Sequence, residues 1–153
     1  EVLVNWERIK TEEKGEHAVD DDIPSTLPAL ARAAKVQRRA AGVGFDWRSA
    51  ADAAAKVREE LAELESEIQG LEEDRASRTK APPDRVEEEL GDVLFAVAAL
   101  GRRLNVDPET ALRRATARFA ERFERMKAEA ETDGADLESL SSDELLRRFR
   151  SAK

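Results

Sequence analysis

Two short acidic clusters constrain this chain more than any other feature of its sequence. They are Glu59-Glu60-x-x-Glu63 and Glu89-x-x-Asp92, each inside a segment with helical apolar spacing. Residues three apart lie on one face of an α-helix. If the two helices pack together, four carboxylates converge, and each like-charge pair ~4 Å apart costs on the order of 4 kcal/mol at an effective dielectric of ~20. The clusters therefore need a cation, and oxygen ligands without His or Cys favour Mg²⁺ or Mn²⁺ over zinc.

The composition predicts an all-α protein. Of the 153 residues, 41% are hydrophobic and 39% are charged, while there are seven Gly and no Tyr. Ala, Leu, Glu and Arg are abundant, and all four are strong helix formers. We expect one domain over 1–153, a bundle of four or five main helices. Its parts would be an N-terminal helix and connector (1–27), a core bundle (28–131) and a C-terminal tail with a short helix (132–153).

Several function classes are disfavoured by residue types that the chain lacks or carries once. The absence of Cys removes disulfides, thiol catalysis and cysteine metal sites, and fits a cytoplasmic protein. One His, His17, cannot build a zinc site or a Ser-His-Asp triad with any redundancy. A net charge of -8 disfavours nucleic acid as a partner, and no apolar run approaches membrane-spanning length. We expect a cytoplasmic protein without a nucleic-acid or membrane partner.

Apolar periodicity and turn residues predict where the helices begin and end. The predicted helices are 1–14, 28–41, 49–71, 84–104, 108–131 and 143–152. A connector over 15–28 and a polar loop over 72–83 separate the first helices from the rest. The turn GVGFDW (42–47) breaks the second helix, and we expect Phe45 and Trp47 to anchor it in a core, with Asp46 or Ser49 capping the next helix.

The second acidic cluster runs directly into the apolar run VLFAVAAL (93–100). A helix that is apolar on all sides is typical of the middle of a bundle or of a dimer. Carboxylates at the mouth of such a helix differ from an ordinary solvated face, because burial of an unpaired charge is costly. We therefore expect a homodimer, and we expect a site at these acids.

The helix that follows the turn at Pro108 combines an apolar side with a row of arginines. We expect its inward residues to be Leu112, Ala115, Phe119, Phe123 and Met126. Its arginines are Arg113, Arg114, Arg118, Arg122 and Arg125. Carboxylate-held magnesium beside arginines is typical of phosphate chemistry, with water as the attacking group. A phosphate loop of the GxxxxGK type is absent, which excludes the P-loop mechanism.

The acidic clusters and their context resemble one enzyme family. EELAE (59–63) followed by ELGD (89–92) matches the EExxE…ExxD pattern of MazG-type nucleoside triphosphate pyrophosphohydrolases. The context is similar too: WERIKTEEK, LPALARAAKVQRRAAGVGFDW, VEEELGDVLFAVAAL and ATARFAERFERMKAE. The resemblance covers nearly the whole chain. Long members carry two such domains, and the chain resembles the second, so with Glu1 rather than Met at its start we expect a fragment or a processed form.

The resemblance implies an all-α, dimeric enzyme that hydrolyses NTPs or dNTPs to monophosphate and pyrophosphate with Mg²⁺ or Mn²⁺. By position it implies four metal ligands: Glu60, Glu63, Glu89 and Asp92. Glu59 would be a supporting acid that orients or activates water. The implied substrate-binding residues are Lys56, Arg118, Arg122, Phe149 and Lys153.

Three positions depart from the family pattern. Thr116 and Arg118 replace an Asn and a Lys that are common in that helix, and Phe149 stands where many members carry Trp. Base and sugar preference are therefore left open. The acidic residues of the pattern are all present.

Each implied site residue also has a structural interpretation. The four acids could form a solvated helical face, and Glu59, Lys56 and Lys153 could be surface residues. Arg118 and Arg122 could form salt bridges to Glu121 or Glu124. Phe149 could be a core residue that closes the last helix.

Two other function classes stand beside the pyrophosphohydrolase. One is a degenerate relative, a helical module that dimerises or binds nucleotide without hydrolysis, motivated by Thr116 and Phe149. The other is a di-metal oxidoreductase in a four-helix bundle, which needs Glu-x-x-His pairs. The chain's one His, His17, lies far along the sequence from both acidic clusters, which argues against the di-metal oxidoreductase.

Overall fold

The computed structural model of the chain describes residues 18–73 and 84–152, and within them every regular element is a helix. The α-helices are α1 (Ala29–Gly42), α2 (Ala50–Glu73), α3 (Asp84–Arg103), α4 (Pro108–Thr132) and α5 (Ser142–Ser151), with a 3₁₀ turn at Leu137–Ser139. The all-α prediction is confirmed, and the ends of these helices lie within two residues of the predicted ones. Four parts of the prediction lie outside the described residues: the helix 1–14, the start of the connector (15–17), the greater part of the 72–83 loop, and Lys153.

Helices α1, α3 and α4 end in the same hydrogen-bonded turn. One residue just after each helix adopts the left-handed conformation: Gly44 (φ 92°), Asn105 (φ 57°) and Gly134 (φ 70°). The amide that follows it donates to the carbonyl five residues back, at 2.8–3.0 Å. This Schellman pattern satisfies carbonyls that the helix end would leave unpaired, and Gly or Asn tolerates it best. The GVG prediction of a helix end is confirmed.

The described residues up to Pro108 form a compact unit built on α1, α2 and α3. Both α1 and α2 pack on α3. Most of the buried apolar residues of these three helices are small: Ala34, Ala53, Ala96, Ala98 and Ala99. Small residues let helix axes approach closely, which holds the acidic parts of α2 and α3 side by side. Gln37 of α1 is also buried, and its Nε2 donates to the carbonyl oxygen of Phe95 at 2.8 Å.

The residues from Glu109 onward form a second compact unit, which contains most of α4, the 3₁₀ turn and α5. Met126, Ala130 and Ala152 are its buried apolar residues. Ser141 caps α5 by accepting a hydrogen bond from the amide of Glu144. The arrangement of both units as one domain stays a prediction.

Helix α3 buries only part of its apolar run. Ala96, Ala98 and Ala99 are covered by neighbouring helices, whereas Leu94 and Phe95 are 48% and 47% exposed. The prediction was a helix buried in the middle of a bundle or of a dimer. Within the single chain Leu94 and Phe95 are not buried, and burial of this run in a dimer stays a prediction. Neither α3 nor any other helix in the described ranges is long and apolar enough to cross a membrane.

The inward face predicted for α4 is correct at one residue and wrong at others. Met126 is 2% exposed, as expected, whereas Leu112 and Phe119 are more than half exposed and Phe123 is 40% exposed. Periodicity identifies the apolar side of a helix but not what covers it. The single chain leaves this side largely uncovered.

We predict that Gly134→Ala lowers the free energy of unfolding by about 1 kcal/mol, because a Cβ is strained at a left-handed residue. Urea denaturation followed by circular dichroism would measure it. Gly70→Ala is the matched control: Gly70 lies inside α2 with nothing within 4 Å of the added Cβ, so this change should be neutral or stabilising by about 0.5–1 kcal/mol. Equal effects of both changes would contradict the assigned turn.

Candidate functional site

The packing of α2 against α3 brings three of the predicted acids together. Glu60, Glu63 and Glu89 each offer a carboxylate oxygen, and these oxygens all lie within 4.8 Å of one another. Glu60 and Glu63 share a face because they are three residues apart on α2, and α3 supplies Glu89 from across the helix contact. Glu60 is buried, Glu89 is half-buried and Glu63 is exposed. We name these three residues the acid cluster.

The acid cluster is electrostatically costly at Glu89. Desolvation raises the pKa of this carboxyl above its ordinary value, and the negative charges of Glu63 and Asp92 raise it further. The guanidinium of Arg85 opposes them, but Arg85 also pairs with Glu67 at 3.1 Å. Glu89 is therefore held where its own charge is disfavoured.

Asp92 lies one turn beyond Glu89 on α3, at an exposed position. Its charge reaches Glu89, yet it is outside the group whose oxygens lie within 4.8 Å. Asp92 as a fourth ligand stays a prediction.

Lys56 supplies a positive charge at one side of the acid cluster. Its Nζ lies 2.6 Å from Oε1 of Glu59 and 2.6 Å from Oε1 of Glu60. The hydrogen bonds to Glu59 and then Glu60 raise the pKa of the Lys56 ammonium, so it stays charged. Glu59 is the exposed partner and Glu60 the buried one, with side chains 58% and 10% exposed. Lys56 and Glu59 therefore stand beside the cluster as an ion pair.

The donor set of the acid cluster fits a hard divalent cation. Mg²⁺ binds oxygens at about 2.1 Å, so opposite ligands lie about 4.2 Å apart. The three carboxylate oxygens lie within 4.8 Å of one another, which is close to that distance. The donors are all carboxylate oxygens, which disfavours zinc and copper.

The second unit contains a cleft that includes three of the predicted substrate-binding residues. Its volume is about 500 Å³, within the usual range for small-molecule sites. The lining residues are Arg118, Phe119, Glu121, Arg122, Arg125 and Phe149. Arg118, Arg122 and Arg125 share a face of α4, because three- and four-residue steps bring them into line. Sequence reasoning listed Arg125 among the arginines but did not place it in the site, although its spacing was the available signal.

Arg122 is bound to the end of its own unit. Its Nε donates to the carbonyl of Ala152 at 2.7 Å and its Nη2 to that of Arg150 at 2.8 Å. Its guanidinium also lies 4.6 Å from the ring centroid of Phe149. The alternative of salt bridges to Glu121 or Glu124 is not what holds this guanidinium, because it bonds carbonyls. Arg122 therefore fixes the C-terminal helix to α4.

Phe149 is half-buried rather than sealed in a core. Its ring packs at 5.1 Å, tilted by 42°, against that of Phe119, which is 57% exposed. One edge of the cleft is therefore aromatic, and Arg118 contributes an exposed positive charge to it. Such a cleft combines groups that bind planar rings and anions.

The turn after α1 is fixed by a carboxylate that sequence reasoning considered only as a helix cap. Asp46 accepts hydrogen bonds from Arg102 and Arg103 of α3, including Nη1 contacts at 3.1 and 3.2 Å. Ser49 instead caps α2, accepting from the amide of Asp52 at 3.1 Å. Phe45 is 81% exposed and Trp47 38% exposed, so their prediction as core anchors was wrong. Ion pairing, not aromatic burial, ties the turn to α3.

Comparison with known proteins identifies the family to which these features correspond. A family model described as the MazG nucleotide pyrophosphohydrolase domain matches residues 48–127. That range contains every member of the acid cluster, Lys56 and the arginines of α4, and it ends before Phe149.

Curated relatives match over more of the chain. The chain is 44% identical over 148 residues to a nucleoside triphosphate pyrophosphohydrolase of Escherichia coli strain K12, covering 92% of this chain and 53% of that protein. It is 40% identical over 150 residues to a Thermotoga maritima protein named nucleoside triphosphate pyrophosphohydrolase/pyrophosphatase MazG, covering 97% and 54%. The uncharacterized protein YabN of Bacillus subtilis is 37% identical over 156 residues, covering 100% and 30%. The chain spans about half the length of the first two relatives.

We predict that Asp46→Asn lowers the free energy of unfolding at pH 7 by about 1–2 kcal/mol, because two arginines lose their charged acceptor. Hydrogen bonds from Arg102 first, then Trp47, hold the pKa of Asp46 below its ordinary value. A lowered folded-state pKa gives stability that is full above the unfolded pKa of about 4 and is lost as pH falls through the folded one. The difference from wild type should therefore shrink below about pH 4.

Urea unfolding at pH 7, 5, 4 and 3 would test this pH dependence. Asp20→Asn is the control, because Asp20 pairs with Arg32 at an exposed position and should contribute less than about 0.5 kcal/mol. A difference for Asp46→Asn that stays constant across this range would contradict the electrostatic origin.

Proposed function

The chain belongs to the MazG nucleotide pyrophosphohydrolase family, and on that premise we propose that it hydrolyses nucleoside triphosphates to monophosphate and pyrophosphate with Mg²⁺. The observation that carries this proposal is the acid cluster: three carboxylate oxygens within 4.8 Å, on two helices of the region matched by the family model. The names of the E. coli and T. maritima relatives describe the same activity for those proteins. Because the chain spans about half of each, its own activity rests on experiment.

The acid cluster would hold the metal through Glu60, Glu63 and Glu89, with Asp92 as a proposed further ligand. A bound Mg²⁺ would offset the phosphate charge that grows in the transition state and lower the pKa of coordinated water. The chain's own contribution is preorganisation. Burial restricts Glu60, and the helix contact brings Glu89 close to it, so little backbone movement would be needed to bind the ion.

We propose that the cleft of the second unit binds the nucleotide. Arg118 would bind phosphate oxygens, since a guanidinium fork matches them in geometry and charge. Phe149 would contact the base through its ring, and Arg122 would position that ring because it is already bonded to the backbone of Arg150 and Ala152. Lys153, by the family pattern, would be a further contact.

A degenerate module that binds nucleotide without hydrolysis is the competing function. Its motivation is the departure at Thr116 and Phe149, while the acid cluster argues for catalysis. Thr116 donates its hydroxyl to the carbonyl of Leu112 at 3.0 Å, a bond within its own helix. The first experiment therefore has to identify products rather than binding.

We predict that a panel of NTPs and dNTPs incubated with the chain and Mg²⁺ yields monophosphate and pyrophosphate, and that EDTA stops the reaction. Glu60→Gln should lower kcat by roughly 100-fold or more, because a buried metal ligand loses its charge. Ion-exchange chromatography of the products measures both. Glu65→Gln is the matched control: Glu65 is exposed on the same helix and lies outside the cluster.

Three results would contradict the assignment. Diphosphate with orthophosphate would mean that a different bond is cleaved. Nucleotide binding without products would favour the degenerate module. Full turnover by Glu60→Gln would remove the acid cluster from catalysis.

We also propose that the chain acts as a homodimer. The supporting observation is one side of α3, where Leu90, Leu94 and Val97 follow one another at four- and three-residue steps and are each at least 40% exposed. Exposed apolar side chains in a continuous patch mark association surfaces. Burial of this face would account for an apolar run that α1 and α2 leave uncovered.

We predict that Val97→Lys shifts the chain to monomer in sedimentation equilibrium at micromolar concentration, because a buried charge destabilises an apolar interface. Val43→Lys is the control, since Val43 is 77% exposed on the turn after α1 and carries the same change in charge. A wild-type chain that sediments only as monomer would contradict the dimer, and an equal shift by both variants would contradict its placement on α3.

A further inference from the structure

Lys56 lies beside the acid cluster and is bonded to one of its members. Its ammonium is 2.6 Å from a carboxylate oxygen of Glu60, one of the three candidate metal ligands, and 2.6 Å from Glu59, which is outside that group. The ammonium therefore bonds at the same time to Glu60, a candidate metal ligand, and to Glu59, which is not one.

These distances make it unfavourable for a metal ion and the Lys56 ammonium to bind the Glu60 carboxylate together. An ion bound about 2.1 Å from the oxygens of Glu60 would lie close to the ammonium that now shares that carboxylate. Like charges in such proximity repel, and a divalent ion doubles the interaction. Glu59 offers the ammonium a second acceptor at the same distance, so it can leave Glu60 with no movement of the helix.

We propose that Lys56 is a built-in counter-ion that a metal displaces from Glu60 onto Glu59. Without metal, the ammonium neutralises the buried Glu60 and limits repulsion within the cluster. With metal, Glu60 turns to the ion and Glu59 retains the ammonium. This assigns Glu59 the role of holding Lys56, and it rests on the proposed metal site.

The proposal predicts two effects that would not be expected if Lys56 formed only a structural salt bridge. Lys56 stabilises the metal-free chain but opposes metal binding, so its removal should lower stability and raise metal affinity together. Glu59 should favour metal binding mainly through Lys56, because it competes with Glu60 for the ammonium. Removal of Glu59 should then weaken metal binding much more when Lys56 is present.

The test is Mn²⁺ binding to the 153-residue chain without nucleotide, followed by the electron paramagnetic resonance signal of the free ion. Lys56→Met should bind Mn²⁺ roughly threefold to tenfold more tightly than wild type, as expected for one charge removed near a divalent ion in a solvated site. Metal-free Lys56→Met should melt at lower temperature than wild type, and added Mn²⁺ should raise its melting temperature by more. Lys56→Gln, which keeps a hydrogen-bond donor without the charge, provides the same comparison if the Met variant does not fold.

Arg58→Met is the matched control, because it removes the same charge from an exposed position on the same helix, two residues along. It should leave Mn²⁺ affinity close to wild type. If both variants bound Mn²⁺ more tightly by the same factor, the change in net charge alone would explain the effect, and the proposal would be overturned. Weaker or unchanged Mn²⁺ binding by Lys56→Met would also overturn it.

A double-mutant cycle isolates the role of Glu59. Glu59→Gln should weaken Mn²⁺ binding in the wild-type background and have a smaller effect in the Lys56→Met background. Equal effects in both would mean that Glu59 acts on the ion directly, and would overturn its assigned role. Glu60→Gln separates a failure of the metal site from a failure of the displacement. If Glu60→Gln leaves Mn²⁺ binding unchanged, the proposed metal site is wrong. If Glu60→Gln loses Mn²⁺ binding but Lys56→Met does not bind Mn²⁺ more tightly, only the displacement is overturned.

Discussion

The repulsion among carboxylates that two helices hold together is the interaction on which the rest of this structure depends. Glu60 and Glu63 come from α2 and Glu89 from α3, so the helix contact itself creates the charge density. Packing between buried alanines supplies the approach that makes this possible. Without compensation, such a cluster would drive the helices apart. Its position therefore identifies the place where the fold requires a cation, whether an ammonium or a metal.

Helix α3 serves two purposes with two kinds of apolar residue. Its alanines at 96, 98 and 99 are buried, while Leu94, Phe95 and Val97 are at least 40% exposed. Larger residues on the packed side would move α3 away from α2 and separate Glu89 from Glu60. In the proposed dimer, the exposed Leu94 and Val97 would form the association surface without disturbing that distance. The length of the apolar run fits the proposed dimer, in which α3 would make a second contact outside its own chain.

Within the described residues, the sequence was sufficient for the helices and for bringing three of the predicted acids together. Helix periodicity and the turn residues predicted the boundaries, and the three-residue spacing predicted that Glu60 and Glu63 share a face. It was not sufficient for burial, because periodicity shows which side of α4 is apolar but not whether Phe119 is covered. Nor could it predict the Asp46–Arg102 pair, since the partners are 56 positions apart and no local pattern links them. Long-range ion pairs depend on how helices are oriented, which spacing within one helix does not record.

Arg122, Arg118 and Lys56 show that the surroundings of a basic side chain, more than its residue type, decide whether its charge is bonded within the protein or exposed. Arg122 is bonded to two main-chain carbonyls and a ring, so its charge is committed to structure, whereas Arg118 one turn earlier remains at the surface of the cleft. Lys56 is intermediate, because its two partners differ in burial and it can exchange one for the other. An arginine fork at position 56 would bind both carboxylates more rigidly. A lysine, with one compact charge on a flexible stem, is the residue that can retain Glu59 while it releases Glu60.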